Sequence, residues 1–159
     1  MSRRIGIHLL SVSLASTLAV LTGCASHGPL RDFSTDGCSL FPDRSLDGKK
    51  DWCHCCVLHD LAYWRGGTAE DRHEADRALK TCVRDESGSP ALATVMFLGT
   101  RLGGGPYLPM SFRWGYGWPF AKPYGQLKPD EQALANALQR RHLDQNPALA
   151  CPDETSPKP

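Results

Sequence analysis

Residues 55–60 read Cys-Cys-Val-Leu-His-Asp, and Tyr63 follows the histidine by four positions. This short run holds an imidazole, a carboxylate and two thiols. An ordinary imidazole titrates near ~6.5 and can take a proton from water around neutral pH. A carboxylate offers hard oxygen to a cation such as Ca²⁺. Adjacent thiols can be crosslinked or can bind metal. On a helix, His59 and Tyr63 share one face. A further acid, Asp76, lies in the next segment of helical pattern. Imidazole, acid and cation ligand together are the parts needed to activate a water molecule against an ester. Taken singly, His59 and Asp60 also read as an ordinary polar helix pair.

Helices must position these residues. Asp51 to Trp64 reads as a first helix, with Asp51 as its N-cap and Gly66 just past its end. Thr68 to about Arg84 reads as a second, opened by a capping box of Thr68 and Asp71. Its inner face is expected to carry Ala75, Ala78, Leu79, Cys82 and Val83. Glu70, Asp71, Arg72 and Glu74 read as a solvated face, and His54 and His73 as exposed. Gly66-Gly67 leaves room only for a tight turn, so the two helices are expected to form an antiparallel hairpin. In such a pair, opposed residues have a constant sum of sequence numbers. A register that faces Cys55 with Cys82 also faces Ala62 with Ala75, and puts Asp76 near both His59 and Tyr63. Further on, Ala91 to Leu102 reads as a buried core helix in preference to a membrane-contacting one, and Asp130 to Leu143 as a polar helix. Between them, Trp114, Tyr116, Trp118 and Phe120 alternate, as in a strand edge or an aromatic surface that meets lipid, and packing over a disulfide-rich core explains them as well.

The chain has seven cysteines. Setting aside Cys24, whose role is taken up below, leaves Cys38, Cys53, Cys55, Cys56, Cys82 and Cys151. In an oxidising compartment these form three bridges, with fifteen connectivities open to them. Cys53-His54-Cys55-Cys56 with His59 is also dense in zinc ligands. Adjacent helical cysteines point about 100° apart, which argues against Cys55 and Cys56 on one tetrahedral ion. Cys53 and Cys56 have redox spacing, but no βαβ pattern of thioredoxin type surrounds them.

Cys55-Cys56-x-x-His59-Asp60 with Tyr63, and Asp76-Arg77 followed by Cys82, resemble the two active-site helices of the secreted phospholipase A2 family. The likeness covers about residues 36–84 and is closest to the compact bacterial and fungal members. It implies a mainly α fold: a disulfide-stapled antiparallel helical hairpin of phospholipase A2 type with a calcium loop and additional C-terminal helices. It further implies His59 as the base, Asp76 as the residue that orients it, and Tyr63 as a hydrogen-bond partner of Asp76. Asp60 would ligate Ca²⁺ with the backbone carbonyls of Gly37, Ser39 and Phe41 from the loop Asp36-Gly37-Cys38-Ser39. The resemblance implies the bridges Cys55–Cys82 and Cys38–Cys56, which leaves Cys53 with Cys151. A family bridge between the helices falls on Ala62 and Ala75, so both of its halves are missing together. The loop departs from the family, with Ser39-Leu40-Phe41-Pro42 in place of glycines, and Asp43 becomes a candidate side-chain ligand.

Arg3 and Arg4, an apolar stretch from Ile5 to Val20, and Leu21-Thr22-Gly23-Cys24 read as an export signal ending in a bacterial lipoprotein box. Residues 1–23 would be removed and the Cys24 thiol would carry a diacylglyceryl group. Ala25 after Cys24 favours the outer membrane, facing the periplasm or the cell surface. Residues 24–34 read as a polar tether, 35–151 as one domain, and 152–159 as a disordered tail. The formal charge is +1, and −1 without residues 1–23, which hold two arginines and no acid. With no basic cluster, that balance argues against a nucleic-acid partner. The expected partner is a phospholipid membrane. Two functions fit: Ca²⁺-dependent hydrolysis of phospholipid sn-2 esters, or a non-catalytic envelope lipoprotein that keeps the scaffold for binding or structure. The altered loop is the feature that favours the second. Cys24→Ser should block both lipidation and signal cleavage. Unchanged mature mass and unchanged membrane association would show that the box is not used.

Overall fold

The computed structural model describes residues 30–146 and Cys151. They form four helices: α1 (Cys53–Arg65), α2 (Ala69–Ser87), α3 (Pro90–Gly103) and α4 (Pro129–Gln145). Among the described residues there is no strand, only an isolated antiparallel bridge between Arg44 and Asp51. The architecture is mainly α with three disulfides: Cys38–Cys56, Cys53–Cys151 and Cys55–Cys82. These are the pairs named above. No helix among the described residues is long and apolar enough to cross a membrane. The lipoprotein box with Cys24, the signal segment and the tail 152–159 lie outside the described residues.

α1 is buried almost all round, as a helix must be that packs on both sides. Cys53, Val57, Leu61 and Trp64 face one core with Leu30, Phe33, Trp118 and Ala135. Cys55 and Cys56 face the other, with Trp52, Leu79, Val83, Ala93 and Met96. The helix starts one residue later than its cap pattern indicates. Trp52 is the N-cap, and Asp51 Oδ1 accepts the Cys53 N–H at 2.9 Å. α2 opens with the capping box: Thr68 Oγ1 accepts from Asp71 N–H at 3.0 Å, and Asp71 Oδ2 from Thr68 N–H at 2.8 Å. It runs antiparallel to α1, with the Cys55–Cys82 bridge towards one end and Tyr63 beside Asp76 and Arg72 towards the other.

Three expectations need correction. The buried stripe of α2 is Arg72, Asp76, Leu79, Val83 and Ser87, while Ala78 is exposed. Arg72 is therefore not part of a solvated face: its guanidinium is drawn inward by Tyr63 and by the end of α3. α3 is not a buried core helix. Only Ala93 and Met96 are buried, whereas Val95, Leu98 and Leu102 stay exposed, because α3 packs against α2 with one face alone. The tether does not extend to residue 34, since Leu30 and Phe33 pack into the core around Trp64. Of the three readings open to the aromatic run, Trp114 and Trp118 take the one of core packing. Both are buried, and their indole N–H groups donate to the carbonyls of Gly67 and Arg65 at 2.9 and 2.7 Å. They close over the α1–α2 turn and satisfy carbonyls that the end of α1 leaves without helical partners. Phe120 does remain exposed.

The Cys55–Cys82 bridge spans 27 residues and fixes the α1–α2 register. Cys82→Ser should cost ~2–5 kcal/mol of stability, measured as the unfolding free energy extrapolated to zero urea. A loss no larger than that of an exposed substitution such as Leu102→Ser would contradict this role for the bridge.

Candidate active site

Asp76 is fully buried in the middle of α2. Its Oδ1 accepts from His59 Nε2 at 2.8 Å and from the Tyr63 hydroxyl at 2.7 Å. Its Oδ2 accepts from Arg101 Nη1 at 2.7 Å, with Arg72 Nε at 3.9 Å. Burial pushes its pKa up. The hydrogen bonds from His59, Arg101 and Tyr63 outweigh that and hold the carboxyl below its ordinary value. An ionised carboxylate only accepts, so His59 must carry its proton on Nε2. Nδ1 is then left with the lone pair, and it has no hydrogen-bond partner among the described residues. His59 lines a cavity of about 250 Å³. The tautomer therefore points to Nδ1 as the basic atom.

Arg72 ties this arrangement to α3. Its Nε donates to the Tyr63 hydroxyl at 3.0 Å, and Nη2 to the carbonyls of Thr100 and Arg101 at 2.7 and 2.9 Å. Nη1 reaches the Tyr124 hydroxyl at 2.7 Å. Gly104, just past α3, packs so closely on Tyr63 that a Cβ there would lie 2.6 Å from its ring. Neither arginine emerged as a site residue from the sequence. The signals were present: Arg101 is the one charge in an apolar stretch, and Arg72 precedes Asp76 by one helical turn.

The second acid has the opposite character. Asp60 is buried, and its Oδ2 accepts a single hydrogen bond, from the Thr35 hydroxyl at 2.6 Å. Burial raises its pKa to about 8; the Thr35 bond opposes this, and the nearby charges of Asp36 and Asp43 add to it. The Thr35–Asp43 loop is held by its own polar contacts. Thr35 Oγ1 accepts the Gly37 N–H at 3.1 Å, and Asp36 Oδ1 accepts the Ser39 hydroxyl at 2.9 Å. Asp43 Oδ1 accepts the Cys38 N–H at 2.7 Å. Gly37 has φ +77°, and a Cβ there would lie 2.5 Å from Asp43 Oδ1, so the position requires glycine.

The cavity wall brings His59, Asp60 and Tyr63 together with Gly37, Ser39 and Phe41. Asp43 is not part of that wall; its carboxylate braces the loop from behind through Cys38. The buried Asp60 carboxylate, on the same wall as Gly37 and Ser39 of the loop, offers the hard oxygen that suits a divalent cation. The rest of the wall is apolar, including Leu79, Met96 and Phe112. Leu40 and Met110 line the cavity and are also exposed, at 83% and 39%, so the opening has an apolar rim.

No protein-family model, curated protein or solved structure matches this chain.

The raised pKa of Asp60 gives a pH dependence. Its folded value, about 8, lies above the unfolded value of 3.8. Its contribution to the stability of metal-free protein is therefore full below pH 3.8 and lost as pH rises to about 8, at ~1.4 kcal/mol per pH unit. Asp76, with a lowered pKa, acts the other way: its contribution is present above its unfolded value and lost as pH falls through its folded one. In urea melts with chelator from pH 5 to 8, the stability of wild type minus that of Asp60→Asn should fall steadily. A difference that does not change with pH would contradict a buried, proton-binding Asp60.

Proposed function

We infer that the chain hydrolyses phospholipid esters with Ca²⁺ as cofactor, using a water molecule activated by His59. The observation that carries this reading is the placing of two unlike acids around one imidazole: Asp76, which accepts hydrogen bonds from His59, Tyr63 and Arg101, and Asp60, buried on the cavity wall with only the Thr35 hydroxyl bonded to it. Asp76 holds the Nε2 proton of His59, leaving Nδ1 to take a proton from a water in the cavity. As the imidazolium forms, the ionised Asp76 stabilises it from the buried side of the cavity. Tyr63, Arg72 and Arg101 keep the Asp76 carboxylate in place. Asp60, with the Gly37 and Ser39 carbonyls, would hold Ca²⁺, which when bound polarises the ester carbonyl as a Lewis acid. The Asp36 and Asp43 charges add to the attraction for the cation. No covalent intermediate on the protein is needed.

The apolar wall and rim support a lipid substrate over a soluble ester, since an acyl chain can occupy what water leaves. The sn-2 position and the membrane anchor through Cys24 belong to the same reading. They rest on the resemblance of residues 36–84 to the secreted phospholipases A2.

Substitutions in the full-length protein test the roles. His59→Gln should abolish ester hydrolysis, by at least 10³-fold in kcat, and leave calcium binding nearly intact. Asp60→Asn should weaken calcium binding and activity together. Asp76→Asn should leave residual activity, and Tyr63→Phe should cost less than that. Activities come from fatty-acid release and affinities from calorimetry. Equal losses at all four positions, or full activity in His59→Gln, would overturn the assignment. A folded wild type that binds calcium but releases no fatty acid would favour the binding scaffold instead.

A further inference from the structure

The first turn of α1 carries a second constellation, on the opposite side of the Cys55–Cys82 bridge from the helix interior. His54 Nε2 lies 3.7 Å from Cys55 Sγ and 3.6 Å from Cys82 Sγ. It also lies 3.8 Å from Glu86 Oε1. Cys82 and Glu86 are one helical turn apart on α2, so they share a face. His54 and Glu86 side chains are 43% and 48% exposed, which makes the group reachable from solvent.

These distances match a particular coordination shell. With Zn–N near 2.0–2.1 Å and Zn–S near 2.3 Å, tetrahedral geometry places nitrogen and sulfur about 3.6 Å apart. The imidazole already stands at that separation from both sulfurs. The cysteine Cα atoms are 5.7 Å apart. Only the sulfurs, bonded to each other in the bridge, have to part. Two cysteines from different helices also avoid the obstacle that rules out Cys55 and Cys56 on one ion. Among the described residues, no other group of three His, Cys, Asp or Glu side chains brings its ligand atoms this close together.

We propose that His54, Cys55 and Cys82, with Glu86 as fourth donor, form a zinc site that becomes available when a dithiol reductant opens the Cys55–Cys82 bridge. The chemistry balances. A thiolate of the dithiol attacks one bridge sulfur, the Cys–Cys bond breaks, and a mixed disulfide forms. The second thiol of the reductant displaces the remaining protein thiolate. The reductant leaves as its own disulfide, having supplied two electrons, and its two protons pass to Cys55 and Cys82. Zn²⁺ then takes both thiolates and releases those protons. Metal replaces the covalent staple between α1 and α2, so the register that sets His59 beside Asp76 is kept in either redox state. Both the oxidised and the zinc-loaded chain are clamped forms; only the reduced, metal-free chain is not.

The full-length protein, treated with a phosphine reductant with and without Zn²⁺, tests this. Bound zinc is counted after gel filtration, and alkylation of each cysteine is mapped by peptide mass. Helix content is followed by circular dichroism. One zinc per chain is expected, with Cys55 and Cys82 alkylated at least tenfold more slowly in its presence. His54→Ala should lose that protection, and Glu86→Gln should weaken it less. Protection that survives His54→Ala would overturn the proposal. So would protection confined to other cysteines, or a reduced chain that loses its helix content and takes up no zinc.

Discussion

A carboxylate with no exposed surface must be satisfied from every side, and Asp76 is such a group. Its partners come from three helices: His59 and Tyr63 on α1, Arg72 on α2 itself and Arg101 on α3. Removing one partner from a buried charged network of this kind costs ~3–5 kcal/mol. That penalty holds the helices in one mutual arrangement and His59 in one tautomer. The interaction that positions the candidate base is thus the same one that makes other packings of α1, α2 and α3 unfavourable.

Asp60 presents the complementary constraint. Its environment disfavours ionisation, with burial and two acidic neighbours on one side and a single hydroxyl on the other. Left alone, such a site weakens the fold as pH rises. The loop that carries the neighbouring acids is nevertheless firmly built. Cys38–Cys56 anchors it to α1, Asp43 and Asp36 bind within it, and Gly37 takes a conformation that other residues resist. Rigid negative charge beside a neutral-tautomer imidazole is the physical basis of the calcium reading.

Much of this was legible in the sequence where the signal is local. The Thr68–Asp71 capping box, the Gly66-Gly67 break and the helical spacing of His59 and Tyr63 are each decided within a few residues. The facing of Asp76 with His59 followed from one register and a tight turn. What the sequence hid depends on distant packing. The indoles of Trp114 and Trp118 reach back some fifty residues to the α1–α2 turn, and nothing local distinguishes them from surface aromatics. Arg72 looked solvated because its neighbours Glu70, Asp71 and Glu74 are. α3 looked like core because its composition is apolar, yet one face has no covering element among the described residues. Leu30 and Phe33 looked like tether because they stand in a polar segment, although Trp64 and Trp118 complete their surroundings.

The most direct measurement is fatty-acid release by the full-length wild-type protein from vesicles whose phospholipids carry different chains at the two ester positions, titrated with calcium and read by mass spectrometry. Release of the sn-2 chain alone, rising with calcium and abolished by chelator, is expected. Release that is independent of calcium, or no release at calcium concentrations that saturate the protein, would contradict the assignment of His59 and Asp60 as base and cation ligand.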